Sequence, residues 1–355
     1  MRVVTIVGAR PQFIKAAVVS RILRETSEEI LVHTGQHYDP NMSAVFFDEL
    51  DIPKPSYNLA IGSGAHGAQT GAMLIAIECV LRDEKPDVVL VYGDTNSTLA
   101  GALAAAKLHV RIAHVEAGLR SFNRRMPEEI NRVLTDHVSD LLFCPSNTAV
   151  KNLEKEGLTA GVVLCGDVMA EALYLAAEKA GRRSSVLELL GIEPKRYLLA
   201  TLHRAENTDD LERLRSIIGA LSSIGEPVIF PAHPRTRGCL RSAGLELAAF
   251  PSIHVIEPVG YLDMVCLTQN ARVVLTDSGG LQKEAYWLST PCITLRDETE
   301  WVETVEAGWN LLTGANGAAI LAAATAFLPP NAHPPLYGDA TAGLQIAASL
   351  NSMPL

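Results

Sequence analysis

The sequence alternates short apolar runs with amphipathic spans, and this alternation restricts the possible folds more than any other feature. In the first half, the apolar runs predict strands at Val3–Val7, Ile30–His33, Asp87–Tyr92, Val110–Val115 and Leu141–Cys144. The amphipathic spans predict helices at about 12–24, 68–85, 100–108, from Pro127 onward and at 147–157. Strands separated by helices form right-handed βαβ units on a parallel sheet.

The second half repeats this plan. Strands are predicted at Tyr197–Thr201, Val228–Phe230, Ile253–Ile256, Val273–Thr276 and Cys292–Leu295, with helices from about 209 and at 281–288, 315–328 and 341–350. The helical stretch near 165–195 has no strand pattern and marks the boundary. The chain is therefore predicted to be an α/β protein with two doubly wound, Rossmann-like domains, 1–168 and 169–336. Such folds bind ligands at the carboxyl ends of their strands, here in an interdomain cleft.

Composition excludes several classes of protein. The 355 residues carry a net charge of −10, which argues against a nucleic-acid partner and means that an anionic ligand needs a locally basic pocket. No run reaches the roughly 18 apolar residues of a membrane span. The beginning, MRVVTIVGARP, reads as a first strand and lacks the features of a signal peptide. The six cysteines show no C-x-x-C spacing, which predicts reduced thiols in the cytoplasm.

Residues 110–132 combine carboxylates with arginines. Glu116 ends a predicted strand, Gly118 permits a tight turn, and Glu128 and Glu129 follow Pro127 at the start of a helix. The arginines of this stretch are Arg120, Arg124, Arg125 and Arg132. Carboxylates beside guanidinium groups suit proton transfer next to a bound anion, but a salt-bridged loop without chemistry uses the same residues.

Three acids are expected to converge from neighbouring strand ends, namely Asp94, Glu116 and Glu128. Like charges that lie close together raise the pKa of at least one of them, which suits a base that works near pH 7. His203 follows a strand of the second half, and histidine is the usual proton carrier near neutral pH. A structural role for that histidine remains the alternative.

Two turns could hold phosphate. Arg10 and Lys15 place cations around the turn 8–11 at a helix N-terminus, and Ser278, Gly279 and Gly280 open another helix. Neither turn is a G-x-G-x-x-G or Walker motif, so NAD and an ATP P-loop are disfavoured, and ordinary turns or a helix cap remain alternatives. Glu284, one helical turn later, could reach a ribose.

No metal site is predicted. His33 and His37 flank a turn rather than share a helix face, and neither D-x-D nor H-E-x-x-H occurs.

Together these residues resemble the non-hydrolysing UDP-N-acetylglucosamine 2-epimerase family across nearly the whole chain. The motifs that carry the resemblance are GARPQFIKA (8–16), HTGQH (33–37), VYGDTNST (91–98), HVEAGLRS (114–121), PEEINR (127–132), HRAEN (203–207), TDSGG (276–280) and QKEA (282–285). The resemblance implies a glycosyltransferase-B-like fold, a C-terminal helix (337–355) packed back on the first domain, a homodimer and no cofactor.

The resemblance also implies roles for single residues. Asp94, Glu116, Glu128 and His203 fall on catalytic positions. The substrate and diphosphate positions are Arg10, Lys15 and Arg132, and the UDP positions are Ser278, Gly279, Gly280 and Glu284. Gln36 and His37 match a region where some bacterial members bind an activating UDP-sugar. The implied reaction eliminates UDP to a glycal and adds it back with C2 inverted, which requires the site to retain UDP.

Some positions depart from the commoner family pattern. Ala205 stands where many members carry arginine, and residues 297–302 read DETEWV instead of containing Thr-Glu-Arg-Pro. Phe13, Asn123 and the HRAEN motif look more like the subgroup that acts on UDP-2,3-diacetamido-2,3-dideoxyglucuronate. The substrate is therefore open between two UDP-sugars. A glycosyltransferase, a hydrolysing epimerase and a non-catalytic UDP-sugar sensor are the rival functions.

Overall fold

The computed structural model describes residues 1–36, 54–245, 250–338 and 340–353. The chain divides into two compact units, one formed by Met1–Ala172 with Tyr337–Leu355 and the other by Leu173–Leu336. The division falls within one helix, Val168–Arg183.

The first unit is built on a parallel sheet. Its strands are β1 (Arg2–Val7), β2 (Glu28–His33), β3 (Tyr57–Asn58), β4 (Val88–Tyr92), β5 (Arg111–Val115), β6 (Leu141–Cys144) and β7 (Val162–Leu164). Its helices are α1 (Arg10–Leu23), α2 (His66–Glu84), α3 (Asn96–Lys107), α4 (Pro127–Val138), α5 (Asn147–Lys155) and the start of α6 (Val168–Arg183). The strand order is β3-β2-β1-β4-β5-β6-β7.

The centre of this sheet is covered on both faces. Every residue of β4 is buried, and no polar residue interrupts its sequence VVLVY. Met73 and Ile77 of α2 and the alanines of α3 pack with Val89 and Val91 in one apolar cluster. Because strands with two covered faces need no polar side, they appear in the sequence as continuous apolar runs.

The second unit repeats the architecture. Its strands are β8 (Leu198–Thr201), β9 (Val228–Pro231), β10 (Ile253–Ile256), β11 (Val273–Thr276), β12 (Cys292–Thr294) and β13 (Asn310–Leu312). After α6 come α7 (Val186–Leu190), α8 (Ala205–Thr208), α9 (Leu211–Ser223), α10 (Pro234–Ser242), α11 (Tyr261–Asn270), α12 (Gly279–Trp287), α13 (Val302–Glu306) and α14 (Gly317–Ala326). The parallel order β10-β9-β8-β11-β12-β13 again reverses beside the unit's first strand. The predicted α/β class with two Rossmann-like sheets is confirmed.

The last helix, α15 (Ala342–Asn351), belongs to the first unit and packs on α1. A side chain at Gly343 would begin 2.9 Å from Cδ1 of Ile22 and 3.0 Å from Cγ1 of Val18, so glycine permits the close approach. The Gly343 N–H donates to Oε2 of Glu171 at 2.9 Å, which ties the beginning of α15 to α6.

Some element boundaries predicted from the sequence are wrong. The helix expected at 100–108 begins at Asn96, because the Thr95 hydroxyl caps it by accepting the Thr98 N–H at 3.4 Å. The sequence also missed β3, β7 and β13, which have two or three residues each and are too short for a clear apolar pattern.

All six cysteines are free thiols. Among the described residues, no helix is both long enough and apolar enough to cross a membrane.

Two glycines of the first unit provide a matched test of packing behind β5. Gly118 and Gly157 both have φ of +79°. A Cβ added at Gly118 would lie 2.4 Å from the Ala149 carbonyl oxygen, whereas a Cβ added at Gly157 would have no heavy atom within 4 Å apart from those of its chain neighbours. Both alanine variants carry the backbone cost of a left-handed residue, about 1–2 kcal/mol. We expect Gly118→Ala to lose about 1–3 kcal/mol more, measured by urea unfolding, because the clash acts as overpacking. Equal losses in the two variants would contradict this packing.

Candidate functional site

The turn after β1 is held by the side chain of Gln12. Its Oε1 accepts the N–H groups of Gly8 and Ala9 at 2.7 and 3.0 Å, and its Nε2 donates to the Tyr92 carbonyl at 2.6 Å. A Cβ at Gly8 would lie 2.0 Å from Oγ of Ser97, so only glycine fits. These two N–H groups are already bonded, so the predicted phosphate site has to rely on cations of α1, which begins at Arg10.

Lys15 and Glu116 form an ion pair beside the end of β4. The position of a Cβ at Gly93 lies 3.2 Å from Oε2 of Glu116 and 3.8 Å from Nζ of Lys15, which places the pair next to Asp94. Burial of the Lys15 ammonium opposes its charge, but the carboxylates of Glu116, Asp167 and Asp94 outweigh that effect and raise its pKa. Lys15 is therefore a buried, permanent cation at this site.

Glu116 has an unusual backbone conformation. Its φ is +76°, a region that costs a residue with a side chain about 1–2 kcal/mol. The N–H groups of Glu116 and Ala117 both donate to the Phe143 carbonyl, at 3.1 and 3.0 Å, and so hold the strained turn in place. Strain of this kind is common at functional sites.

Arg132 links Asp94 to α4. Its guanidinium pairs with Oδ2 of Asp94, and with Oε2 of Glu129 at 3.1 Å. Asn131 donates from Nδ2 to the Asp94 carbonyl at 2.9 Å, so two neighbouring α4 side chains fix this residue. The sequence predicted mutually repelling carboxylates, but the structure places Lys15 and Arg132 among them.

Glu129 fastens the loop before α4. Its buried carboxylate accepts the Ser121 N–H and hydroxyl, both at 2.9 Å, and the Phe122 N–H at 2.8 Å. Burial would raise its pKa, but these hydrogen bonds and the Arg132 charge lower it. Glu129 was predicted only as an acidic residue at the start of a helix, although its i, i+3 spacing from Arg132 could have indicated the contact.

Glu128 differs from its neighbour. It is exposed, and within the described part of the chain its side chain makes no hydrogen bond or ion pair. The structure therefore groups Asp94 and Glu116 with Lys15 and Arg132, and leaves Glu128 outside that contact network.

Arg120 is a structural arginine. Its buried guanidinium pairs with Asp136 and Glu156, both at 2.7 Å. Asp136 also bonds Nδ1 of His114 at 2.7 Å, while Nε2 of His114 bonds the Gly93 carbonyl at the same distance. This buried network supports the turn that carries Asp94.

The predicted effector region is described only in part. The Gln36 Oε1 accepts the Ser97 N–H at 3.1 Å and the Ser97 hydroxyl at 2.6 Å, while His37 lies outside the described residues. His33 is buried, with its ring centroid 4.8 Å from that of Phe13, and burial lowers its pKa. An effector site at Gln36 and His37 stays a prediction.

In the second unit, Ser278, Gly279 and Gly280 form the beginning of α12. The Ser278 hydroxyl caps the helix by accepting the Leu281 N–H at 3.4 Å. A Cβ at Gly279 would lie 3.5 Å from Oε2 of Glu300 and from Nε1 of Trp301. The first turn of α12 carries no acidic residue of its own, and its dipole favours an anion, such as the Glu300 carboxylate that lies beside Gly279. Glu284 is half-buried one helical turn later.

The turn that departs from the family pattern lies against these glycines. Buried Arg296 donates to Oε2 of Glu300 at 2.8 Å, and Arg204 lies 3.8 Å from Oε1 of the same carboxylate. Burial would raise the pKa of Glu300, but the bond from Arg296 and the nearby charges lower it.

His203 is held by the carboxylate of Asp277, a contact that was not predicted from the sequence. Nδ1 of His203 lies 3.1 Å from Oδ1 of Asp277, and the Arg204 N–H donates to Asp277 at 3.0 Å. Burial would raise the pKa of Asp277, but the hydrogen bonds from His203 and Arg204 lower it. Since β8 pairs with β11, strand pairing would have indicated this contact.

Each unit thus has a polar site at the strand whose neighbours reverse the order of the sheet. The first has paired carboxylates and cations that can move protons beside an anion, and the second has a glycine-containing helix N-terminus near an imidazole. Within 1–36, 54–245, 250–338 and 340–353, no group of three or more His, Cys, Asp or Glu could hold a metal ion.

Comparison with known proteins adds independent information. A sequence model of the UDP-N-acetylglucosamine 2-epimerase family matches residues 21–351. A UDP-N-acetylglucosamine 2-epimerase homolog of Methanococcus maripaludis is 54% identical over 357 residues, covering 99% of this chain and 100% of its own. The UDP-2,3-diacetamido-2,3-dideoxy-D-glucuronate 2-epimerase of Pseudomonas aeruginosa is 54% identical over 360 residues, covering 99% of both.

Among solved structures, the UDP-GlcNAc 2-epimerase of Methanocaldococcus jannaschii in complex with UDP-GlcNAc and UDP is similar to this chain. It matches with a TM-score of 0.84 and 46% identity, covering 99% of this chain and 100% of its own.

Neighbouring Glu128 and Glu129 allow a matched test of the loop contact. The ordinary glutamate pKa is 4.5, and the folded pKa of Glu129 is lower. Its carboxylate therefore stabilises the fold above pH 4.5, and this contribution is lost as the pH falls through the folded pKa. We expect Glu129→Gln to lower the free energy of unfolding by about 1–3 kcal/mol at pH 7, and less in acid.

The control is Glu128→Gln, which should change the free energy of unfolding by no more than about 0.5 kcal/mol. Urea unfolding at several pH values measures both variants. Equal losses, or a Glu129→Gln loss that does not shrink in acid, would argue against the contact.

Proposed function

Because the chain belongs to the UDP-N-acetylglucosamine 2-epimerase family, we propose that it interconverts UDP-GlcNAc and UDP-ManNAc without hydrolysing them. The observation that carries the proposal is the pairing of Glu116 with Lys15 and of Asp94 with Arg132 at the ends of β5 and β4. A 2-epimerase needs carboxylates to move a proton and cations beside a departing diphosphate.

The chemistry of the sugar explains this need. C2 of a 2-acetamido sugar is not next to a carbonyl group, so its proton is hard to remove directly. When the C1–O bond to UDP breaks, positive charge develops at C1 and makes the C2 proton acidic. A carboxylate then takes that proton and a C1=C2 double bond forms. The products of this elimination are UDP and a glycal. Return of UDP to C1, with a proton added to the opposite face of C2, inverts the centre.

The proposed roles follow the family positions. Asp94, Glu116 and Glu128 supply carboxylates for the two proton transfers, and His203 acts beside the diphosphate. The proposed diphosphate and substrate contacts are Arg10, Lys15 and Arg132, and those to UDP are Ser278, Gly279, Gly280 and Glu284. The raised pKa of Lys15 supports its part, since a permanent cation stabilises a developing diphosphate charge.

A second candidate substrate is UDP-2,3-diacetamido-2,3-dideoxyglucuronate, epimerised by the same mechanism. Its support is the 54% identity to the Pseudomonas aeruginosa enzyme of that name, together with Ala205 at the start of α8. The expected homodimer and cytoplasmic location stay predictions.

Solvent deuterium distinguishes this mechanism from its rivals. Incubating the protein in D2O with each of the two UDP-sugars should give the C2 epimer of its substrate, with deuterium at C2, observed by proton NMR. UDP-sugars should remain the only final products. Product that forms without label at C2 would remove the elimination mechanism, and free sugar would indicate a hydrolysing epimerase.

Asp94→Asn tests the position of the reaction. We expect turnover to fall by about 10²- to 10⁴-fold, because a carboxylate that moves the C2 proton is lost. UDP affinity, measured by calorimetry, should change little. The control is Asp83→Asn, an exposed position on α2 that should leave the rate unchanged. A near-normal rate in Asp94→Asn would show that the reaction occurs elsewhere.

A further inference from the structure

Asp277 is not among the residues proposed for catalysis or for binding UDP. Its carboxylate is fully buried and is the charged group that lies nearest to the His203 ring among the described residues. We propose that Asp277 is the positioning residue of the reaction, which holds the His203 imidazole in the one orientation and tautomer that can act beside the departing diphosphate. The inference rests on the proposed function for the role of His203.

The contacts fix both the backbone and the ring of His203. Its N–H lies 3.1 Å from each Asp277 carboxylate oxygen, and the next N–H, of Arg204, lies 3.0 Å from Oδ2. The ring Nδ1 lies 3.1 Å from Oδ1. The Asp277 carboxylate therefore holds both the backbone turn at 203–204 and the orientation of the His203 ring.

This arrangement leaves one ring nitrogen available. Because the lowered pKa of Asp277 keeps its carboxylate ionised, it accepts hydrogen bonds only, so Nδ1 has to carry a proton. The His203 side chain is 52% exposed, and its Nε2 has no protein partner among the described residues. Nε2 can therefore gain and release a proton while Nδ1 stays bound.

The same strand end also sets the anion turn. The Ser278 N–H donates to Oγ1 of Thr276 at 2.9 Å, and that hydroxyl shares a 2.6 Å hydrogen bond with Oγ1 of Thr201 across β8 and β11. Asp277 lies between Thr276 and Ser278, so the residue that orients the imidazole is covalently joined to the turn proposed to contact UDP. Their relative placement is built into one short segment.

A second buried aspartate–histidine pair shows what makes this one different. In the first unit, Asp136 bonds Nδ1 of His114 at 2.7 Å, but Nε2 of His114 bonds the Gly93 carbonyl and the ring is fully buried. Both nitrogens of His114 are used, so that pair supports the fold. The Asp277 pair keeps a nitrogen exposed, which suits a proton carrier.

A double-mutant cycle tests whether Asp277 acts through His203. We expect Asp277→Asn to lower kcat by about 10²-fold while KM and UDP affinity change little, because an amide can donate to Nδ1 and favours the wrong tautomer. In a His203→Asn background, the same substitution should lower kcat by less than about threefold. An equal fold-loss in both backgrounds, or loss of UDP binding, would mean a purely structural role and overturn the proposal.

A second measurement is made on the wild-type protein and does not depend on any activity. Nitrogen-15 NMR of the histidine-labelled wild-type protein, with His203 assigned from His203→Asn, should show a proton on Nδ1 throughout the titration of Nε2. A neutral His203 with a bare Nδ1 would overturn the proposal. Failure of the wild-type protein to exchange the C2 proton of either UDP-sugar would overturn the proposed function instead, and the NMR result would still decide the geometry.

Discussion

Reversal of strand order in each parallel sheet is the constraint on which both polar sites depend. In the first sheet β1 lies between β2 and β4, and in the second β8 lies between β9 and β11. At such a point the loops leave in opposite directions, and a gap opens above the carboxyl ends of the strands. Lys15 and Asp94 flank the first reversal, and His203 and Asp277 flank the second. The order of the strands therefore determines where each polar site lies in its unit.

Charge is handled differently at the two reversals. In the first unit, Lys15 pairs with Glu116 and Arg132 pairs with Asp94, so each charge of this site has a neighbour of opposite sign. Burying such ions costs several kcal/mol each, which only close partners and hydrogen bonds offset. In the second unit, the ionised Asp277 is satisfied by two main-chain N–H groups, by the Asn207 amide and by Nδ1 of His203, which leaves Nε2 of the imidazole without a bond to this carboxylate. The anion that we propose to bind there would meet a helix N-terminus that is already formed.

The sequence allowed much of this to be predicted, and the failures have definite reasons. Strand ends were readable because buried parallel strands are apolar throughout, and Asp94, Glu116 and His203 each follow one. The loop contacts of Glu129 were not predicted because they depend on how the chain before α4 folds back. Asp277 lies 74 residues from His203, so their contact depends on the pairing of β8 with β11. The role of Gln12 could not be predicted, because it depends on the folded turn at Gly8 and Ala9, whose N–H groups bond its side chain.

The position of α15 has a consequence for biosynthesis. The first unit needs residues from both termini, since α15 packs on α1 and its N-terminus bonds Glu171. Nascent chains generally fold their domains in the order of synthesis, N-terminal first. Here residues 1–172 cannot complete the packing of their unit until residues 337–355 have been synthesised. The second unit, Leu173–Leu336, is one continuous segment. It can therefore reach its native packing before the first unit is complete.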